Sequence, residues 1–461
     1  MKDVPMNAEE KKSFYKQLFS LAIPIGLQNL LVSLIGATDA LMLGRLSQDA
    51  VSAVSLANQI AFIMSLFSGA VLGGGGALIA QYSGKCDRLM VKRLFCMILK
   101  WSFTISCVFF VLAMFFPDVL MRTYTPDAAL IKIGASYLRI VSFSYLFSGI
   151  TQCYYLMMKI EGKASKSVMI SVVTLVADMT IDFFLIYGKA GVPKLGSDGS
   201  AYSTVAVEFI ALVWCIAESY RGNSTHPAGQ DFRWHSPAVT KDFIRIALPM
   251  LGSSLAWGVG FSLHSLIMGH LGSDATAAAS ITSIAQELVT CVCKGISSGA
   301  GIMIGKILGM SLFDKAKAYG RKFCHISFWT GGVHMALLAA LGPIVARFFV
   351  LSDTARGYLI VMLLFSGLYV FAFSVNTIIV CGIFPAGGDA RYDAVSVFFA
   401  SWCFALPLAL LGTFLFKWPV MIIYMLMCSD EIVKLPWIYP RYEKFLWLKN
   451  LTREEAASTN V

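Results

Sequence analysis

Seven ionisable side chains stand inside long apolar runs. The first half of the chain holds Asp39 in GATDALML, Asp178 and Asp182 in VADMTIDFFLIYG, and Glu208 in TVAVEFIAL. The second half holds His264 in FSLHSLIM, and Glu287 and Lys294 in IAQELVTCVCKG. A charge at membrane depth costs at least about 2.5–3.5 kcal/mol, so each of these residues needs a reason to be there. Asp178 and Asp182 are four apart and share one helix face. Two carboxylates side by side in a dry environment require a proton or a cation between them. Asp39, on another segment, would complete an acidic cluster able to take up H⁺ or Na⁺ and release it when the protein changes shape. No fixed metal is expected there, only transient Na⁺. The rival reading has each aspartate capping a broken helix or bonding to a serine or threonine. His264 is either a second proton site or a hydrogen-bonded structural residue. Glu287 and Lys294 are seven apart, face the same way, and would pair through a neighbour.

The elements that carry these residues are membrane spans. Of 461 residues, 57% are hydrophobic and 14% charged, against about 25% charged in a soluble domain. That excludes a soluble enzyme, a disordered chain and a coiled coil. Twelve stretches are long enough to cross a bilayer: 17–43, 49–80, 95–116, 131–158, 167–187, 199–217, 246–268, 275–305, 324–348, 357–382, 393–414 and 418–437. The net charge is +10. The basic residues gather in alternate connections: Lys85, Arg88, Lys92, Arg93 and Lys100; Lys159, Lys163 and Lys166; Lys306, Lys315, Lys317, Arg321 and Lys322; and, in the C-terminal tail, Lys434, Arg441, Lys444, Lys449 and Arg453. The positive-inside rule then puts both termini in the cytoplasm of a multi-pass protein of the cell membrane. The eleven cysteines form no CxxC and read as small buried apolar residues rather than a disulfide or zinc framework. The polar start MKDVPMNAEEKKSFYKQ does not read as a cleavable signal peptide.

The chain repeats itself at an offset of 225 residues. Pro24/Pro249, Gly44/Gly269, Asp49/Asp274, Gly74/Gly299, Gly76/Gly301 and Gly84/Gly309 coincide. Proline and glycine fix backbone geometry, so their coincidence means more than the overall identity. Six spans separate the copies, so they share one orientation. The expected architecture is all-α and integral to the membrane, with twelve transmembrane helices in two six-helix lobes related by a pseudo-two-fold along the membrane normal. The lobes would be 1–217 and 246–437, joined by a cytoplasmic linker at 218–245 and followed by a cytoplasmic tail at 438–461. Such a repeat favours a carrier that rocks its lobes over a channel. Pro24 interrupts the first span as either a hinge or a static kink. Asp39 falls on His264 under the repeat, so the lobes carry different chemistry at one place.

The segments LAIPIGLQNLLVSLIGATDALMLGRLSQDAVSAVSLANQI, GGGGALIAQYSGKCD, YGKAGVPKLGSDGSAYST, CGIFPAGGDARYD and CSDEIVKLPWIYPRYEKFLWLKNL together resemble the MATE (multidrug and toxic compound extrusion) family over nearly the whole chain. The resemblance implies two lobes forming a V and efflux driven by H⁺ or Na⁺ entry. In the branch similar to DinF, aspartates of the first and fifth helices carry the coupling, and Asp39 and Asp182 match them. Asp178 stands where that branch often has asparagine. Thr204 matches a threonine of the same site. The branch similar to NorM has a glutamate where this chain has Trp257, and its tenth-helix aspartate falls near Ser374 and Asn376. Pro385 stands where a loop arginine is common.

The expected activity is therefore cation-coupled antiport of amphipathic, cationic organic compounds by alternating access. Asp39, Asp178, Asp182 and Thr204 would bind the coupling ion, Pro24 would be the hinge, and Gln28, Asn29, Glu208, His264, Glu287 and Asn376 are candidate polar residues of the cavity. Beyond H⁺ or Na⁺ no cofactor is expected. The partners would be the substrate and the bilayer, with no nucleic acid, and the protein would be a monomer. The alternative is a flippase for a lipid-linked precursor, which needs cavity cations to meet a pyrophosphate; Arg139 and Lys294 are the candidates. No HExxH, GxGD-type pair or GxSxG falls in a span, which argues against an enzyme.

Overall fold

The computed structural model describes residues 6–189, 191–221, 224–348 and 351–453. Among them there are helices and no strand. Twelve long helices follow one another: α1 (Ala8–Gly44), α2 (Gln48–Gly84), α3 (Arg88–Phe115), α5 (Ala128–Ile160), α6 (Ala164–Tyr187), α7 (Ser197–Ser219), α9 (Pro237–His270), α10 (Ser273–Gly309), α11 (Phe313–Phe348), α12 (Asp353–Ala386), α13 (Ala390–Leu415) and α14 (Val420–Glu443). Two short helices, α4 (Pro117–Arg122) and α8 (Gly229–Arg233), lie in connections. The long helices overlap all twelve expected spans, six in each half of the chain. Eleven are apolar and long enough to cross a membrane. The twelfth, α14, is less apolar because Asp430, Glu431 and Lys434 lie within it. Lys434, counted above with the basic tail although it falls within the expected span 418–437, is a residue of that last helix: it is buried and bonds to Glu431.

Local sequence sets the ends. The Asp127 carboxylate accepts from the Ala129 N–H at 2.8 Å to cap α5, and the Ser352 hydroxyl accepts from the Ala355 N–H at 3.0 Å to cap α12. Gly188 ends α6 in the left-handed region, at φ 68°. Three stretches wind as π-helix: Thr377–Ile383 in α12, and Phe398–Ala405 and Leu411–Leu415 in α13.

The chain forms two compact units that do not follow the halves of the repeat. The first unit comprises the chain up to Ala22, Gly73–Leu94 and the chain from His235 onward; the second comprises Ile23–Leu72 and Phe95–Trp234. The second unit has its own core around Val54, Met64, Tyr137, Tyr145 and Ile186. The first has a core around Ile267, Met362, Leu406 and Met427.

Inside the first unit, the repeat glycines explain why α1 and α2 of one copy pack on α9 and α10 of the other. A Cβ on Gly84 would collide with the Lys306 carbonyl, and a Cβ on Gly309, its repeat mate, with the Gln81 carbonyl. A Cβ on Gly74 would sit 2.9 Å from Ala247 Cβ; its mate Gly299 lies against Leu21 and Ala22, and Ala22 is the mate of Ala247. A Cβ on Gly305 would meet Ala80, at the position corresponding to itself, at 2.8 Å. Each crossing is thus made twice, with the roles exchanged. Without side chains between them the backbones approach closely, as helices in lipid do when small residues line the contact.

The segment after α14 closes over this crossing. Trp447 is fully buried and stacks on Tyr442 at 6.1 Å, in room left by Gly320 and Gly387. The buried Gln81 amide donates to the Ala386 carbonyl at 2.6 Å and the Lys449 carbonyl at 3.1 Å, and its oxygen accepts from the Leu451 N–H at 2.6 Å. Arg453 bonds to both oxygens of Asp242, at 2.6 and 2.9 Å, and its N–H donates to the Tyr82 hydroxyl at 3.0 Å. Arg441 of α14 pairs with both oxygens of Asp389 at 2.8 Å and lies 4.3 Å over the Tyr392 ring. A guanidinium from α14 therefore holds Asp389, in the turn between α12 and α13 that follows Pro385.

Gly309→Ala forces the α2–α10 crossing apart and is expected to cost about 3 kcal/mol. Gly252→Ala, which adds a methyl with nothing within 4 Å, is neutral or slightly stabilising because alanine favours helix. Melting temperatures of the two variants in detergent check the contrast.

Candidate functional site

Asp39 on α1 and Asp178 and Asp182 on α6 come together in the second unit. Each offers an oxygen, and the three lie within 4.8 Å of one another. Asp178 and Asp182 are buried, and Asp39 is half-buried. The i, i+4 spacing aligns the α6 pair, and the packing of α1 supplies the third acid. Both oxygens of Asp182 and Oδ1 of Asp39 are buried without a hydrogen-bond donor. Asp178 accepts from the Ser203 hydroxyl of α7 at 2.9 Å. Buried carboxylates are normally satisfied. Three acids this close, with one side-chain donor among them, suit a hydrogen shared between two carboxyls or a hard cation held by several oxygens.

Other candidates fall around this site with different partners. Thr204, one residue past Ser203, donates to the Ser200 carbonyl at 3.0 Å. The hydroxyl on the acids is thus Ser203, one residue from the expected one. Tyr137 of α5 is buried and faces all three aspartates; sequence reading passed over it because tyrosine in an apolar run gives no polar signal. Glu208 of α7 is half-buried and faces Asp178 and Tyr155. Gln28 of α1 is buried and donates to the Ser171 hydroxyl at 2.9 Å, leaving its own oxygen without a donor. Asn29 is half-buried, as is Pro24, which lies two residues beyond the point where α1 passes from the first unit to the second.

In the first unit the candidates do not gather into one site. His264 on α9 is half-buried, and its Nε2 has no partner. Glu287 and Lys294 pair directly at 2.7 Å and stay partly exposed, so no intermediary joins them. Trp257 stacks on Phe261 at 5.8 Å. Ser374 bonds to the buried His334 at 3.0 Å. Asn376 is buried and bonds to Glu431 of α14. Asp430 and Glu431 were missed as intramembrane acids. The signal was available: two acids and a lysine three residues later, inside a run of helical length. Arg139 pairs with Asp118 at 3.0 Å, with both side chains about half exposed.

The chain is 24% identical to the probable multidrug resistance protein YoeA of Bacillus subtilis, with 96% of each chain covered. It is 23% identical to the multidrug resistance protein PmpM of Pseudomonas aeruginosa, over 85% of this chain and 82% of that one. Its fold is similar to that of the Vibrio cholerae MATE transporter VcmN, solved as a mutant, with a TM-score of 0.86 at 15% identity over 94% of this chain and 97% of that chain. The family model described as MatE matches twice, over residues 24–184 and 249–411, and the matches start at the 225-residue offset of the internal repeat. The chain therefore belongs to the MatE family and is a multi-pass membrane transporter, not an enzyme.

Proposed function

We propose that this transporter exports amphipathic, cationic organic compounds in exchange for H⁺ or Na⁺, through the acids of its first half, in the manner of the branch similar to DinF. The observation that carries the reading is the meeting of Asp39, Asp178 and Asp182 with oxygens within 4.8 Å and Asp182 lacking any donor. The names of the relatives, multidrug resistance proteins, support a drug-like cargo. The basic connections support a cell-membrane protein with both termini in the cytoplasm.

The mechanism follows from linkage. An ion moves cargo only by binding one conformation more tightly than the other. With the three acids negative, a cationic compound gains from their field. A proton or Na⁺ arriving from outside removes that charge and the affinity with it. The acids sit on α1 and α6, and α1 leaves the second unit beside Pro24, where the missing backbone hydrogen bond lets the helix bend. A flippase would need free cations for a pyrophosphate, whereas Arg139 and Lys294 already hold Asp118 and Glu287.

Two experiments test this reading. In everted vesicles, a pH gradient and separately a Na⁺ gradient are imposed and ethidium efflux followed. One gradient drives efflux in wild type, and Asp39→Asn and Asp182→Asn each reduce it at least about tenfold; drug-stimulated ion flux unchanged in both variants sinks the mechanism. In detergent without substrate or Na⁺, Asp182→Asn raises stability by about 1–2 kcal/mol, because its amide donates to a neighbouring carboxylate and removes one like charge. The advantage is largest at high pH, where the wild-type acid must ionise, and fades as the pH falls. Melting curves across pH read both the sign and the trend.

A further inference from the structure

A second ionic network lies in the first unit, away from Asp39 and its partners. Asp430, Glu431 and Lys434 of α14 meet Asn376 of α12 and Asp393 of α13, and all five side chains are between 3% and 7% exposed. Lys434 bonds to Glu431 at 2.5 Å and faces Asp430 and Asp393. Asn376 donates its amide hydrogens to the Glu431 carbonyl and carboxylate, both at 2.7 Å. Asp430 accepts from Ser401 at 3.1 Å and from the Glu431 N–H at 2.7 Å. Ser253 of α9 meets Asp393 Oδ2 at 2.6 Å. Among the described residues, the other titratable groups facing the network are Cys381 and Tyr369 of α12 and Cys428 of α14, with Cys293 of α10 beside Cys381.

Three acids face one lysine, and burying uncompensated charge is costly. Counting hydrogens shows where compensation belongs. Ser253 has a single hydroxyl hydrogen but two acceptors, the Met250 carbonyl at 3.3 Å and Asp393 Oδ2 at 2.6 Å. If Asp393 carries a proton, it donates to Ser253, and Ser253 donates to Met250; both contacts are then satisfied. A second feature points to a hydrogen that the network can accept. Asn376 Oδ1, at the other end of the amide that bonds to Glu431, is buried with no donor. Flipping that amide would set its oxygen against two Glu431 oxygens, so the orientation is fixed by the network. The oxygens of this cluster do not converge as those of Asp39, Asp178 and Asp182 do, which favours a proton over a metal ion. Two of the network's residues adjoin or occupy π-helical stretches: Asn376 precedes Thr377–Ile383, and Ser401 lies in Phe398–Ala405. Such widened turns let a helix change register locally, and they recur at functional sites.

We propose that the second half of the chain has its own proton-binding site, centred on Asp393 and shared with Asp430, Glu431, Lys434 and Asn376, which takes a proton from water and returns it. The site stands whether or not the first-half acids couple transport.

Infrared spectra of the full-length protein in lipid nanodiscs, recorded across pH, test it. The protonated-carboxyl band of wild type contains a component that falls reversibly as pH rises. Asp393→Asn removes one carboxyl's worth of that component, and the amide N–H can still donate to Ser253 as the protonated carboxyl does. Lys434→Gln changes it in the opposite direction, because loss of the one facing cation leaves the network holding an additional proton. A purely structural ion pair also gains a protonated carboxyl in Lys434→Gln, because Glu431 loses its cation, but it has no pH-dependent component in wild type for Asp393→Asn to remove. Asp39→Asn and Asp182→Asn leave this component in place, so failure of the antiport reading is distinguishable. Superimposable spectra for wild type, Asp393→Asn and Lys434→Gln would overturn the proposal, as would a component indifferent to pH. If Asp393→Asn is not monodisperse on size exclusion, Ser253→Ala decides: a shift in the midpoint or frequency of the component supports the site, and an unmoved component rejects it.

Discussion

The backbone-to-backbone contact between α2 and α10 is the constraint on which the first unit depends. Dispersion between helices is weak per atom and strong in sum, and it falls off within fractions of an ångström. In a membrane no hydrophobic driving force adds to it. Gly84 and Gly309 remove the side chains that would hold the two helices apart, and Gly74, Gly299 and Gly305 extend the close contact along and beside them. Because the contact is reciprocal under the repeat, the two copies must share one orientation and register there. The buried Gln81 bonds and the Trp447 stack depend on that register, since they reach across elements that the glycines have already brought together.

The polar groups obey a second rule, that a buried acid without a donor marks a place where something arrives. The two networks meet this rule differently. Around Asp182 the protein supplies few donors, and the acids sit nearly oxygen to oxygen. Around Glu431 it supplies a lysine, an amide and a hydroxyl, and leaves one amide oxygen over. The first arrangement suits a large change in charge on binding. The second suits a finely balanced one. His264 at the place of Asp39 fits this division, because the buried acids within the second half's spans, Asp393, Asp430 and Glu431, lie on α13 and α14 instead.

Most of the architecture was legible in the sequence because length and apolarity alone decide a span, and the 225-residue echo of Pro and Gly set the orientation of the halves. The Asp178–Asp182 pair was legible because four residues make one helical turn. Asp39 joining them was inferred from its depth and became definite only with the packing of α1. Ser203 was hidden by a rotation of about 100° per residue, which sequence alone cannot phase against a neighbouring helix. Asp430, Glu431 and Lys434 were legible and overlooked: they fall inside the expected span 418–437, but Lys434 was counted with the basic tail and the two acids were passed over. The turn at Asp389 could not reveal that its guanidinium, Arg441, comes from some fifty residues further on.

The contacts that close the end of the first unit near Arg453 differ in their response to dissolved salt. Arg453 and Asp242 are partly exposed, and a pair of that kind is screened over about 8–10 Å at physiological ionic strength. The Gln81 bonds and the glycine crossing are buried and neutral, and screening barely reaches them. Ionic strength would therefore act on the rim of this closure without acting on its floor. Concentrated salt, or an anionic headgroup competing for Arg453, frays the outer strap while the helices beneath stay in register. The energy needed to part these helices then has one component set by the surrounding solution and one set by the chain.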